Sequence, residues 1–172
     1  IEKFPFGPDA LGFKGEDRLA VFVSLAVPGD EVEAVWTRKM KSYGWARIEK
    51  LLKPSPHRQE PPCPLFKQGC GGCQWQMANY GYQLEAKKAV VAESFQRIAK
   101  IPADSLPLEA CVGMQDPWRY RNKIQLPLQR TEDGRLIWGF FERYTHKIVE
   151  LKDCPVHLKL FDEPLAKIKP LL

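Results

Sequence analysis

Apolar positions in the first third of the chain recur in short β-type runs. Val21-Phe22-Val23 and Val32-Glu33-Ala34-Val35-Trp36 are rich in β-branched and aromatic residues, with Val27-Pro28-Gly29-Asp30 as the turn between them. A third run, Tyr43 to Leu52, alternates less cleanly. Three or more short strands joined by tight turns within residues 1–53 predict a compact OB-like β-barrel, an architecture used for oligonucleotides. Residues 54–62 hold four prolines in nine positions. That composition predicts a stiff, extended linker and a domain boundary. From Asn79 to about Lys100 the spacing becomes helical, with Val91, Phe95 and Ile98 on one apolar face and Lys87 and Lys88 on a solvated one. Ile101-Pro102 ends the helix.

Beyond it, Leu108–Val112 is a short strand candidate. Trp118–Gln129 and Leu136–Glu142 read as two strands joined through Asp133-Gly134, a strong hairpin signal. Lys147–Leu151 supplies a further strand, and His157–Ile168 a final helix. The expected fold class is mixed β and α+β: the barrel over 1–53, the linker over 54–62, and a small α/β domain over 63–172.

Composition narrows the class without changing this picture. With 44% apolar and 27% charged residues among 172, the chain has the make-up of a globular protein. No apolar run approaches the ~18 residues of a membrane span. No charged segment followed by an apolar stretch opens the chain, so a secretory leader is not indicated. The chain begins with Ile1 and closes on Leu171-Leu172, which suggests a piece of a longer protein. The net charge of +5 is mild, so any nucleic-acid site must come from local patches.

The cysteines change the picture most. Cys63, Cys70 and Cys73 form a C-x6-C-x2-C group, and Cys154 lies 81 positions beyond Cys73. The count of five is odd and the clustering is unlike a secreted disulfide framework. Reduced thiols holding a metal in the cytoplasm are the better reading. Closely spaced soft thiolates suit an iron–sulfur cluster or zinc. A structural zinc site more often pairs two C-x2-C knuckles, and the second is missing here. Three clustered thiolates with a remote fourth before proline favour a four-iron cluster over zinc. Gly71 and Gly72 would let backbone approach an inorganic core. Cys111, among apolar neighbours, reads as a buried thiol. The glycines do not fit G-x-G-x-x-G, and a dinucleotide loop is excluded.

A second constellation is Trp118-Arg119-Tyr120-Arg121-Asn122-Lys123-Ile124-Gln125, with no acid from Pro117 to Thr131. Strand alternation would place Arg119, Arg121, Lys123 and Gln125 on one face and Tyr120, Asn122 and Ile124 on the other. Cations beside amides and planar groups suit RNA, and a solvated strand face is the competing reading. Arg38, Lys39 and Lys41 form a third basic group, as compatible with a hairpin tip as with RNA. His57, His146 and His157 are scattered, and no catalytic apparatus is evident.

Together the cysteine stretch, Arg119 to Leu128 and Gly139 to Cys154 resemble the 5-methyluridine RNA methyltransferases, and Val21 to Val35 resembles their RNA-binding TRAM domain. The resemblance covers essentially the whole chain. It implies that Cys63, Cys70, Cys73 and Cys154 hold a [4Fe–4S] cluster, although six residues separate the first two where five is common. Arg121, Lys123 and Gln125 would be RNA contacts, joined by Arg119, Arg38, Lys39 and Lys41. S-adenosylmethionine, the nucleophilic cysteine and the general base would belong to a C-terminal catalytic domain, so these 172 residues alone are expected to be inactive. The implied partner is tRNA or 23S rRNA, the setting cytoplasmic without membrane, and the chain monomeric. The alternative is a non-enzymatic RNA-binding module stapled by zinc or a cluster; an iron–sulfur electron carrier is less favoured.

Overall fold

In the first strands, Val21, Val23 and Ala46 point inward and are buried, while their neighbours in sequence face out. This period-two burial fixes the register of a one-sided sheet. The computed structural model describes residues 1–168 and 170, and its chain contacts divide into two compact units. One comprises residues 1–60 and 74–113, the other 61–73 and 114–172. No described helix is long and apolar enough to cross a membrane.

The first unit holds four strands: β1 (Ala10–Lys14), β2 (Leu19–Ser24), β3 (Glu31–Lys39) and β4 (Tyr43–Lys53). They pair in the order β1-β2-β4-β3, with β2 and β4 parallel and the other two pairs antiparallel. The expected closed barrel is not formed: no ladder joins β1 to β3 among the described residues. The sheet nevertheless curls. Lys14 from one edge and Lys39 from the other sit over the ring of Trp36, 5.6 and 5.8 Å from its centroid. Trp36 lies flat against Gly44, where a Cβ would stand 2.6 Å from the indole, so only glycine leaves room for it.

One buried carboxylate organises the turn after β2. Asp30 accepts hydrogen bonds from the Val27 amide at 2.6 Å and the Ser55 amide at 2.8 Å, and pairs with the Arg58 guanidinium at 2.5 Å. Its side chain is wholly removed from solvent. Burial pushes its pKa up, but Arg58 and the two amides outweigh that and hold it below the usual carboxylate value. The proline-rich stretch is therefore bonded into this unit at Ser55 and Arg58.

Helix α1 (Tyr80–Ser94) starts where predicted, capped by the Asn79 side chain, which accepts from the Tyr82 amide at 2.9 Å. It widens into a π turn at Phe95–Ala99 and stops at left-handed Lys100. Its buried residue is Ala86, whereas Val91, Phe95 and Ile98 are 43%, 42% and 83% exposed. The apolar face read from the sequence thus points to solvent. Around the helix start, Phe4 stacks on Trp75 at 4.4 Å and His57 on Tyr82 at 4.0 Å. The segment Leu108–Val112 is not a strand, and Cys111 is exposed rather than buried.

The second unit contains a three-stranded antiparallel sheet: β5 (Leu128–Arg130), β6 (Leu136–Phe141) and β7 (Ile148–Glu150). The predicted hairpin at 131–135 joins β5 to β6. Residues 118–127, expected as strand, are irregular apart from one bridge between Arg121 and His157. Pro117 and Pro127 bring no amide to a ladder, and Arg119 has φ of +53°, so continuous pairing is impossible. The final helix is shorter than expected. A 3-10 turn (Lys159–Phe161) leads into α2 (Asp162–Ile168).

Replacing Asp30 with Ala strands Arg58, and breaking a buried pair from one side costs on the order of 3–5 kcal/mol. The expected result is a lower urea midpoint with the slope unchanged. Because the folded pKa lies below the ordinary 3.8, this contribution is present above that pH and fades as pH falls through the folded value. An acid titration of the wild type against Asp30→Asn would show it.

Candidate functional site

Within the second unit, the cysteine loop leaves one helical turn, Pro64–Lys67, which buries Leu65 and Phe66. It then runs back along the end of β6. The Gly71 amide donates to Phe141 O at 2.8 Å, the Arg143 amide donates to Gly69 O at 2.9 Å, and Cys70 bridges Glu142. A Cβ on Gly71 would meet Phe141 O at 2.9 Å, so this close approach needs glycine. Cys63, Cys70 and Cys154 are buried and Cys73 is half-buried, and none of the four is in a disulfide.

The thiols feel one another. Burial, with the charges of Cys63 and Cys154, pushes the Cys70 thiol up, against a hydrogen bond from the Gly72 amide at 3.4 Å and the nearby Arg143 cation. A buried thiol pushed up in this way is ill at ease as a bare thiolate, and a nearby cation relieves that cost. Thiolates are donors of the kind that soft metal ions and metal–sulfur groups take.

Three arginines hold this arrangement. Arg119 donates to Cys154 O at 2.9 Å and pairs with Asp153 at 3.1 Å. Arg121 donates from its guanidinium to Gly72 O at 3.1 Å and from its amide to Val156 O at 2.7 Å, tying the middle of the cysteine loop to the chain just past Cys154. Arg143 lies over the Phe66 ring at 4.0 Å and donates to Phe66 O at 3.2 Å. Its Nη2 is buried without a hydrogen-bond partner. Burial lowers its pKa, while Cys70, Tyr144 and Cys73 work the other way, so its charge stands beside two of the thiols.

Of the residues nominated from sequence, Cys63, Cys70, Cys73 and Cys154 are all placed in the second unit. Arg119 and Arg121 engage the backbone there, while Lys123 and Gln125 are exposed. In the first unit, Arg38 lies over Trp45 at 5.5 Å, Lys39 over Trp36, and Lys41 is exposed in the β3–β4 turn.

Arg143 escaped sequence reading because nothing near it in the chain marks it as a neighbour of the thiols. His157 escaped likewise. It is 1% exposed, its Nε2 lies 2.8 Å from Asp162 Oδ1, and its Nδ1 has no partner.

With this geometry in view, the comparisons are informative. No family model matches the chain. Two proteins of Halalkalibacterium halodurans, each named an uncharacterized RNA methyltransferase, are 37% and 39% identical to it over 95% and 99% of its length. It covers 35% and 38% of theirs. A Gloeobacter violaceus protein of the same description is 37% identical over 91% of the chain. The chain is similar to proteins named RNA methyltransferases. It spans little more than a third of the length of the curated relatives it matches. Among solved structures, the Pyrococcus abyssi tRNA (uracil-54, C5)-methyltransferase in complex with S-adenosyl-L-homocysteine matches 95% of the chain and 36% of its own, with a TM-score of 0.54 and 27% identity.

Arg143→Leu removes a cation–π contact and a hydrogen bond, worth roughly 1–3 kcal/mol together. The metal-free, reduced protein should unfold at lower denaturant. Cys70 should also react more slowly with iodoacetamide near pH 8, since losing the cation raises the thiol pKa further.

Proposed function

We propose that these residues are the RNA-recognition half of an S-adenosylmethionine-dependent RNA (uracil-C5)-methyltransferase that works on tRNA or rRNA in the cytoplasm. The similarity to RNA methyltransferases over nearly the whole chain carries this reading. In it, the curled sheet of residues 1–53 is the TRAM-like RNA-binding module, followed by the proline-rich connection at 54–62 and the cysteine-bearing domain from residue 63.

Cys63, Cys70, Cys73 and Cys154 would hold a [4Fe–4S] cluster. When bound, the cluster supplies four iron–thiolate bonds that join loop 63–73 to the chain at 154. Its place is structural, because the methyl group comes from a sulfonium and activation of uracil from a nucleophile elsewhere. Arg119 and Arg121 position the backbone around the thiols, and Arg143 sets a positive charge beside them. Lys123 and Gln125 present a cation and an amide to RNA, as Arg38, Lys39 and Lys41 do in the other unit. The 172 residues bind RNA and do not transfer methyl groups on their own.

Anaerobic purification tests the cluster: a brown protein with iron and sulfide in equal amounts, about four of each per chain, is expected. A colourless protein with stoichiometric zinc would favour the non-enzymatic, zinc-stapled module. Cys154→Ser should lose both colour and RNA affinity. Loss of colour with affinity intact removes the stapling role.

A further inference from the structure

The outward face of the first sheet has a composition its fold does not require. Directly paired residues share a face, so the register sets Leu11, Phe22, Trp45 and Arg38 in one row across all four strands. Phe13, Ala20 and Tyr43 form the next row. The opposite face carries the buried Ala10, Val21, Val23 and Ala46 and already supplies the core. A sheet with one face on the core ordinarily presents polar side chains on the other.

Here the outer face presents rings instead. Phe22 and Trp45 stack at 5.8 Å and 29°, and Tyr43 stands edge-on to Trp45 at 5.2 Å. Phe13 and Tyr43 are 39% and 37% exposed. Cations flank the rings: Arg38 lies over Trp45 at 5.5 Å, and Arg18, also paired with Glu2, lies over Phe13 at 4.3 Å. Arg47, next in line on β4, is exposed.

Arg38 reaches this face through an irregularity. A register shift between Trp36 and Arg38 puts Trp36 opposite Ala46 on the inner face and Arg38 opposite Trp45 on the outer one. In a regular strand, residues two apart share a face. The bulge therefore divides an aromatic and a cation between the two sides of the sheet.

We propose that this face, centred on Phe22, Tyr43 and Trp45 and flanked by Arg18, Arg38 and Arg47, is a stacking platform for unpaired bases of single-stranded RNA. The proposal rests on the RNA-directed reading above and specifies which surface meets the RNA and in what form. Aromatic planes take bases of any sequence because every base has a π-face, and arginines beside them meet the phosphates. A duplex keeps its bases stacked inside and offers these rings nothing. An apolar protein segment would find three arginines at the rim of its site, so charge favours the polyanion.

The intact chain is titrated, by fluorescence anisotropy, with a labelled 12-nucleotide single-stranded RNA and with the same sequence as a duplex. Single strands should bind more tightly. Trp45→Leu combined with Phe22→Leu should weaken single-strand binding at least about ten-fold, with circular dichroism unchanged. Trp45→Phe, which keeps a ring, should retain most of the affinity. Arg38→Gln should weaken binding and flatten its dependence on salt. Equal binding of duplex and single strand, unchanged affinity in folded Trp45→Leu or in Arg38→Gln, or self-association through this face without RNA binding would each overturn the proposal. Variants are compared with wild type at equal iron content and none of these readouts depends on methyl transfer, so the platform can fail while the methyltransferase reading stands, and the reverse.

Discussion

Burying three thiols, with Cys63 and Cys154 near enough to act on Cys70, on backbone with almost no regular structure, is the constraint that shapes the second unit. Mutual repulsion and burial both push the Cys70 thiol up, so the site works against itself unless cations and amides oppose it. The chain meets this with hydrogen bonds to carbonyls. Arg121 reaches Gly72 O, Arg119 reaches Cys154 O and Arg143 reaches Phe66 O. Each guanidinium acts where a helix or strand would otherwise have aligned the backbone. This explains why residues 118–127 are cationic without being a strand: two of their three charges satisfy main-chain acceptors around the cysteines.

Much of this was legible in the chain, and the misses have physical causes. Strands β2, β3 and β4 and the 131–135 hairpin announce themselves through β-branched residues and an Asp-Gly turn. Strand β1 does not, because Ala10 and Gly12 carry little β signal even though both are buried. The run from Trp118 to Gln129 imitates a strand by composition. Pro127 and the positive φ of Arg119 decide otherwise, and a backbone angle at a non-glycine residue leaves no trace in sequence. The apolar stripe of α1 shows the limit of periodicity. Spacing says which residues share a face and nothing about what covers it, and Ile98 stands 83% exposed. The cysteines nominated as ligands stand out by spacing and residue type, whereas Arg143 lies beside Cys70 and Cys73 only through three-dimensional proximity.

The sheet of the first unit shows how an irregular position can divide neighbouring residues between two faces. The same four strands carry a small, close-packed inner surface and a ringed, cationic outer one. The shift near Thr37 lets neighbouring residues of β3 serve both. Trp36 is drawn in against Gly44, with Lys14 and Lys39 over its ring. Of the three register shifts between β3 and β4, the one between Trp36 and Arg38 is what puts Arg38 on the outer face.

The Asp30–Arg58 pair has a consequence for how such a sequence can change. Asp30 serves two backbone amides and a guanidinium at once, while Arg58 also donates to Leu25 O at 2.8 Å. Losing either member leaves the other's charge without its counter-charge, so a single substitution is expected to cost stability that a paired one avoids. The turn at 27–30 and the segment at 55–58 should therefore diverge together, at a pace set by double changes.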